Sequence, residues 1–168
     1  MKKLILSAVA LFAFGFANAQ DDDGGFRVGI HVGLPMGDVK DISSFNAGID
    51  LAYMWSVGDG FEVGVATGYD NWFGSEEDFG PITVEYEDAA FIPLAGALKY
   101  SVTENFFVGA DLGYAFYAGS EDDAEGGFYY QPKVGYQLPA IDIFVGYKGI
   151  SQDGMTASAV TLGAAYKF

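Results

Sequence analysis

The chain contains no cysteine, which excludes a disulfide scaffold, a lipoprotein anchor and a thiol nucleophile. Beyond residue 19 it has no apolar run of the roughly 18 residues that a membrane-spanning helix needs. Positive charge is scarce: 8 Lys and Arg stand against 23 Asp and Glu, for a formal net charge of −15. So acidic a chain has no electrostatic footprint for nucleic acid. Charged residues of both signs make up only 18%, against about a quarter in soluble domains. There is one histidine. What the chain has in excess is glycine, 24 residues, and aromatic side chains, 17%. Disordered acidic chains lack aromatics, so that class is excluded as well.

The first residues carry an export pattern. Lys2 and Lys3 precede an apolar stretch from Leu4 to Phe16, and Ala17-Asn18-Ala19 is a small-residue cleavage signal. The stretch is too short for a membrane helix, and "QDDDGG" follows at once. The pattern predicts a signal peptide over 1–19, a mature start at Gln20 and a single domain over 20–168. Cleavage removes two lysines and no acids, leaving a net charge of 6 − 23 = −17.

The rest of the chain alternates with period two, the signature of strands. Eight such segments cover 26–35, 45–57, 61–73, 90–102, 106–118, 128–138, 141–150 and 156–168. They are long beside the five or six residues usual in soluble sheets, but match the roughly 9–11 residues of a tilted transmembrane strand. One face of every segment is apolar and uncharged, as in Phe26, Val28, Ile30, Val32 and Leu34 or Phe106, Val108, Ala110, Leu112, Tyr114 and Phe116. The other face holds Arg27, His31, Asp50, Glu62, Asp70, Lys99, Asp111, Lys133, Asp142, Lys148 and Lys167.

Alternation alone leaves two barrels open: a soluble one with the apolar face inside, or a membrane one with it outside. The polar face is rich in glycine, which suits the crowded interior of a small barrel, and its five acids face five Lys or Arg. Balance of that kind is needed where charges are buried. Aromatics on the apolar face also gather near strand ends. Tyr53, Trp55, Phe61, Tyr100, Phe106, Tyr136, Tyr166 and Phe168 fall at one rim; Phe45, Tyr69, Phe73, Tyr114, Phe116, Phe128, Tyr130 and Tyr147 fall toward the other. Two aromatic girdles round an apolar band belong to barrels in lipid. The expected fold class is all-β: an eight-stranded antiparallel up-and-down transmembrane barrel with its apolar face outward.

The connections alternate in length. Gly58-Asp59-Gly60, Thr103-Glu104-Asn105 and Pro139-Ala140 read as tight turns, whereas 36–44, 74–89, 119–127 and 151–155 are longer. The long ones gather the acids: Asp38, Asp41, Glu76, Glu77, Asp78, Glu85, Glu87, Asp88, Glu121, Asp122, Asp123, Glu125 and Asp153, against one cation, Lys40. Alternation continues through Ile82, Val84 and Tyr86, so the fourth strand is expected to run on past the membrane as a protrusion.

Chemistry is sparsely signalled. His31 with Asp50 would be the material for a general base or hydrolase, but no serine, histidine and acid fall at a spacing that demands a triad. The bland role, a hydrogen-bonded lumen residue, is the expectation, and the chain is not expected to be an enzyme or to hold a cofactor. Glu76, Glu77 and Asp78, and Glu121, Asp122 and Asp123, offer hard oxygen ligands to a divalent cation, although the fixed calcium-loop spacing is missing. Gly58-Asp59-Gly60 has no helix behind it and is no phosphate loop. Trp72, Phe107, Tyr117, Tyr129 and Phe144 add bulk to the polar face, so at most a narrow, poorly conducting water path is expected in an eight-stranded lumen.

Together, the export pattern, eight strands, two girdles and terminal Tyr166-Lys167-Phe168 resemble small outer-membrane barrels of the OmpA/OmpX type. The resemblance implies a Gram-negative outer membrane, contact with its lipid and lipopolysaccharide, and insertion by the barrel-assembly machinery. That machinery reads a last strand ending in an aromatic, here Leu162, Tyr166 and Phe168. With no wall-binding domain expected after Phe168, the implied protein is a monomeric barrel with a structural or surface-interaction role, a narrow porin-like channel or a His31 hydrolase being the alternatives.

Overall fold

The structure, a computed structural model, describes residues 24–79, 82–119, 125–152 and 154–168, with backbone alone at 76–79 and 82–85. The expected signal peptide therefore lies outside the described residues. Ten strands follow in chain order: β1 (Gly24–Gly37), β2 (Ser43–Gly58), β3 (Phe61–Gly74), β4 (Glu76–Phe79), β5 (Ile82–Glu85), β6 (Ala89–Ser101), β7 (Phe106–Tyr117), β8 (Gly127–Gln137), β9 (Ile141–Gln152) and β10 (Met155–Lys167). Eight of them close into an antiparallel barrel in the order β1-β10-β9-β8-β7-β6-β3-β2. These are the eight segments read from the alternation, with ends displaced by no more than two residues.

Closure is made by β1 and β10, in register from Arg27 opposite Lys167 to Gly37 opposite Ala157. In lipid no water is present to satisfy an open edge, so this seam is what makes the sheet compatible with a bilayer. Phe168 extends it, its N–H donating to the carbonyl of Phe26 at 2.9 Å.

The apolar face points outward. Ile30 is 66% exposed and Leu34 65%, whereas His31 between them is 3%. The girdle aromatics pair across strands at the short-turn end, with Phe61 stacked on Tyr100 at 4.3 Å and Phe106 edge-on to Tyr136 at 5.2 Å. At the long-loop end, Phe45 meets Phe73 at 6.0 Å and Tyr130 meets Tyr147 at 6.3 Å. Such pairs add to the area they bury and set the two levels between which the apolar band runs.

Two of the short turns close as their residues dictate. Gly58 (φ 105°), Asp59 (φ 49°) and Gly60 (φ 80°) are all left-handed, a conformation in which glycine carries no steric penalty and aspartate little. In the β6–β7 turn the Thr103 hydroxyl accepts from the N–H groups of Asn105 (3.2 Å) and Phe106 (3.0 Å). The protrusion differs from expectation. It is a separate two-stranded hairpin, β4 with β5, whose pairing continues through the Tyr86 N–H to the Ser75 carbonyl at 3.0 Å. The break from β6 falls at 87–88, where the Asp88 carboxylate takes the N–H of Gly74 at 2.9 Å.

Candidate functional site

Every inward charge named from the sequence lies in the lumen, and they fall into three groups along it. Nearest the short turns, Arg27 on β1 binds Glu62 on β3 and Asp142 on β9, the latter at 3.2 Å. Lys99 on β6 reaches the same Asp142 at 2.7 Å and Glu62 at 3.5 Å, and Lys167 on β10 reaches Asp142 at 2.9 Å. Asp142 is thus a hub for three cations from three strands. Midway along, Lys133 on β8 pairs with Asp111 on β7 at 2.6 Å.

The third group surrounds His31. Its Nδ1 lies 2.9 Å from Asp50 Oδ2 and its Nε2 lies 2.9 Å from Asp70 Oδ1. The Lys148 ammonium touches both His31 Nε2, at 2.6 Å, and Asp70 Oδ1, at 2.8 Å. Asp70 also accepts from Asn46 Nδ2 at 2.8 Å and from the Trp72 indole at 3.1 Å. Lys148 and Asp70 are almost wholly buried, with 1% and 2% of their side chains exposed. An ion pair this dry persists only where hydrogen bonds satisfy it on every side, as Asn46, Trp72 and His31 do here. His31 does not join Arg27, four residues away on the same strand face; the barrel's stagger puts them in different layers.

Glycine makes room for the imidazole. A Cβ at Gly48, which faces His31 across the β1–β2 ladder, would lie 2.6 Å from His31 Cε1. A second stacked arrangement seats Phe144 over Gly163, where a Cβ would strike the ring.

Above these charges, toward the long loops, the lumen is apolar. Val39, Trp72, Ala95, Ala115, Tyr129, Ile150 and Ala159 form a buried cluster, with Ile42 and Phe91 packed against it. Val39 comes from the 38–42 connection, which turns inward on hydrogen bonds to the Val39 carbonyl from the N–H groups of Ser43 (2.9 Å) and Ile42 (3.2 Å). The same connection is tied down by Asp38, whose carboxylate takes the N–H of Thr156 at 3.0 Å. Asn46, Gln131, Thr161 and Val39 were not singled out from sequence. The first three were legible in principle as uncharged polar residues on the inward parity; Val39 lies in a connection, where parity gives no signal.

Between the charge layers lies a cavity of about 70 Å³, lined by Arg27, Asp50, Lys99, Asp111, Lys133 and Asp142 and by Met54, Phe107, Tyr129 and Phe144. A second cavity of about 240 Å³ opens at the short-turn mouth between Arg27, Glu62 and Lys167. The carboxylates of Glu76, Glu77, Asp78, Glu121, Asp122 and Asp123 lie outside the described side chains, so the loop metal reading has no geometry to meet. Of the terminal residues read as an assembly signal, Leu162, Tyr166 and Phe168 all face outward, 54%, 48% and 56% exposed.

No family model matches the chain, and no curated protein does. Solved structures do. The crystal structure of Ail, the attachment invasion locus protein of Yersinia pestis, superposes with a TM-score of 0.57 at 15% identity, over 87% of this chain and 98% of that one. A de novo designed transmembrane β-barrel gives 0.56 at 16% identity, over 88% and 98%. The N-terminal barrel domain of Pseudomonas aeruginosa OprF gives 0.50 at 12% identity, over 86% and 97%. The fold is that of a small outer-membrane β-barrel. For an outer-membrane barrel, the outward apolar face and two girdles are the lipid contact, and the long-loop end is the one turned to the exterior.

Proposed function

We propose that the protein is an integral outer-membrane barrel of a Gram-negative bacterium whose lumen is structural and whose working surface is its acidic long loops. The observation that carries this reading is the filled lumen. Three layers of paired charge and the apolar cluster beneath the 38–42 connection occupy a barrel that a solute would have to cross. An open aqueous channel takes about 16 strands, and crossing here would require breaking buried pairs such as Lys148–Asp70. The barrel then serves as an anchor, delivered by the export pattern and by assembly machinery that reads Leu162, Tyr166 and Phe168.

The sign of the loop charge selects the partner class. Ail has been crystallised with the heparin analogue sucrose octasulfate, a polyanion. Here the long loops carry acids at Asp38, Asp41, Glu87, Asp88 and Glu125, among others, with Lys40 alone opposing them. Sulfated glycans are repelled by such a surface, and basic partner surfaces or divalent cations shared with lipopolysaccharide are attracted. The test is adhesion of whole cells displaying the protein to immobilised basic and sulfated ligands. Preferential binding to the basic ligand, lost on deletion of 74–89 and weakened by salt, is the expected result. Equal binding by the deletion variant, or stable nanosiemens conductance of the refolded barrel in planar bilayers, would overturn the reading.

A further inference from the structure

We propose that His31 is a proton-operated switch, which takes its proton from the short-turn side and passes its state through Asp70 and Trp72 to the 38–42 connection at the long-loop end. The ring has a carboxylate 2.9 Å from each nitrogen, Asp50 at Nδ1 and Asp70 at Nε2. A ring protonated on both nitrogens donates to both; a neutral ring donates to one and turns a lone pair toward the other. Lys148 supplies the alternative. Its ammonium lies 2.8 Å from Asp70 Oδ1 and 2.6 Å from His31 Nε2. With the ring charged it serves Asp70 alone; with the ring neutral it also serves Nε2, and Asp70 loses a donor. The cluster thus has two hydrogen-bonded arrangements that differ by one proton, which is what a switch requires.

The charged groups that face the ring come from three strands: Asp50 from β2, Asp70 from β3 and Lys148 from β9. On β10 the ring stands opposite Gly163, and the one charge of that strand, Lys167, pairs with Asp142 in the short-turn layer. Arg27, Lys99, Glu62, Lys133 and Asp111 pair in the other two layers. Access to the ring is one-sided. Asp50 is the open member of the cluster, with 30% of its side chain exposed against 1% for His31 and Lys148 and 2% for Asp70. It lines the central cavity, which shares Arg27 and Met54 as walls with the cavity at the short-turn mouth. Both are large enough for water and carry charged groups to hold it, so protons reach Nδ1 by way of Asp50. Toward the long loops the apolar cluster around Val39 and Ile150 closes the lumen.

The output runs in the opposite direction. Asp70 holds the Trp72 indole N–H on Oδ2 at 3.1 Å, while Oδ1 faces His31, Lys148 and Asn46. A change in the donors on Oδ1 turns the carboxylate that holds the indole. Trp72 belongs to the same buried cluster as Val39 of the 38–42 connection, so a displacement of the indole is felt by that connection. Coupling of this kind travels through packed side chains that have two discrete arrangements.

The chain has two tryptophans, so the refolded Trp55→Phe barrel reports on Trp72 alone. Its emission should change sigmoidally between about pH 5 and about pH 8, with the barrel folded throughout by heat-modifiable migration on a detergent gel, and His31→Gln should abolish the change. A flat profile, or one that survives His31→Gln, overturns the proposal. If His31→Gln does not fold, nitrogen chemical shifts of His31 in the parent barrel decide: titration with the midpoint of the Trp72 profile supports the switch, and another midpoint or none refutes it. Because the chain has no cysteine, Lys40→Cys at an exposed position takes an environment-sensitive dye on the 38–42 connection. The dye should follow the same profile; a constant dye beside a responding Trp72 refutes transmission to the long-loop end. In vesicles buffered separately inside and out, with orientation read from protease access to the long loops, the response should follow the pH on the short-turn side. A response to the long-loop side overturns the route.

Discussion

Arginine at Leu112 tests the outward assignment of the apolar face most severely. Leu112 stands on β7 with 51% of its surface exposed, between Gly96 and Tyr130 on the neighbouring strands. It lies six residues from Phe106 in one girdle and four from Phe116 in the other. At about 3.3 Å per residue and a tilt near 45°, those separations are about 14 Å and about 9 Å along the membrane normal. Both are inside an apolar band about 25 Å tall, in its central part. A guanidinium there has to drag water inward or stretch toward a headgroup, and the measured range for such positions is about 2–4 kcal/mol at the midplane. With the girdle at Phe116 within reach of a long side chain, about 2–3 kcal/mol is expected for Leu112→Arg. Leu34→Arg is the control. Leu34 lies eight residues along β1 from Phe26, which is opposite the girdle residue Tyr53, about 19 Å along the normal and so at the far edge of the band, and its cost should fall to about 0–1 kcal/mol. Reversible urea unfolding in thin phosphatidylcholine vesicles, followed by the fluorescence of Trp55 and Trp72, measures both. Equal costs at the two positions, or no cost at Leu112, would refute the placement of the band.

Three further perturbations address the lumen and the seam. Gly48→Ala should destabilise the barrel by about 1–3 kcal/mol, because its Cβ has nowhere to go against His31 and the Tyr69 carbonyl; a wild-type urea midpoint would show that the imidazole seat is not tight. Lys148→Met should cost about 3–5 kcal/mol by stranding Asp70, and adding Asp70→Asn should recover part of that loss. A double variant as unstable as the sum of the singles would mean the two residues do not act as a pair. Phe168→Ala should slow assembly into membranes in cells while leaving the urea midpoint of the refolded barrel within about 0.5 kcal/mol, the usual bound for a surface change; unaltered assembly kinetics would remove the terminal aromatic from the recognition signal.

The strands and their two faces were legible because both are carried by nearest-neighbour alternation. Ile30, His31 and Val32 announce their directions without reference to any other strand. The pairing of charges was not legible, since it depends on the stagger that accumulates round the barrel. Arg27 and His31 share a strand and a face, yet they join different layers, one with Glu62 and Asp142 and the other with Asp50, Asp70 and Lys148. The apolar cluster under the long loops was hidden for another reason. Val39 sits in a connection flanked by Asp38 and Lys40, where nothing local distinguishes a residue folded into the barrel from one in solvent. Likewise the alternation of Ile82, Val84 and Tyr86 was real, but period two cannot tell a continued strand from a new hairpin. Asp88 makes that choice by a side-chain bond to Gly74.

The lumen pairs join the two halves of the chain. Arg27 meets Asp142 across 115 residues and His31 meets Lys148 across 117. The third barrel strand brings Glu62 and Asp70, and the lysines that pair with them arrive on β6 and β9. A truncated or partly inserted chain therefore cannot complete the pairing of its interior, and a buried carboxylate left without its partner is costly. The barrel in this sense proofreads its own completeness: only a chain translated to its end, and closed at the β1–β10 seam, has an interior that lipid will tolerate.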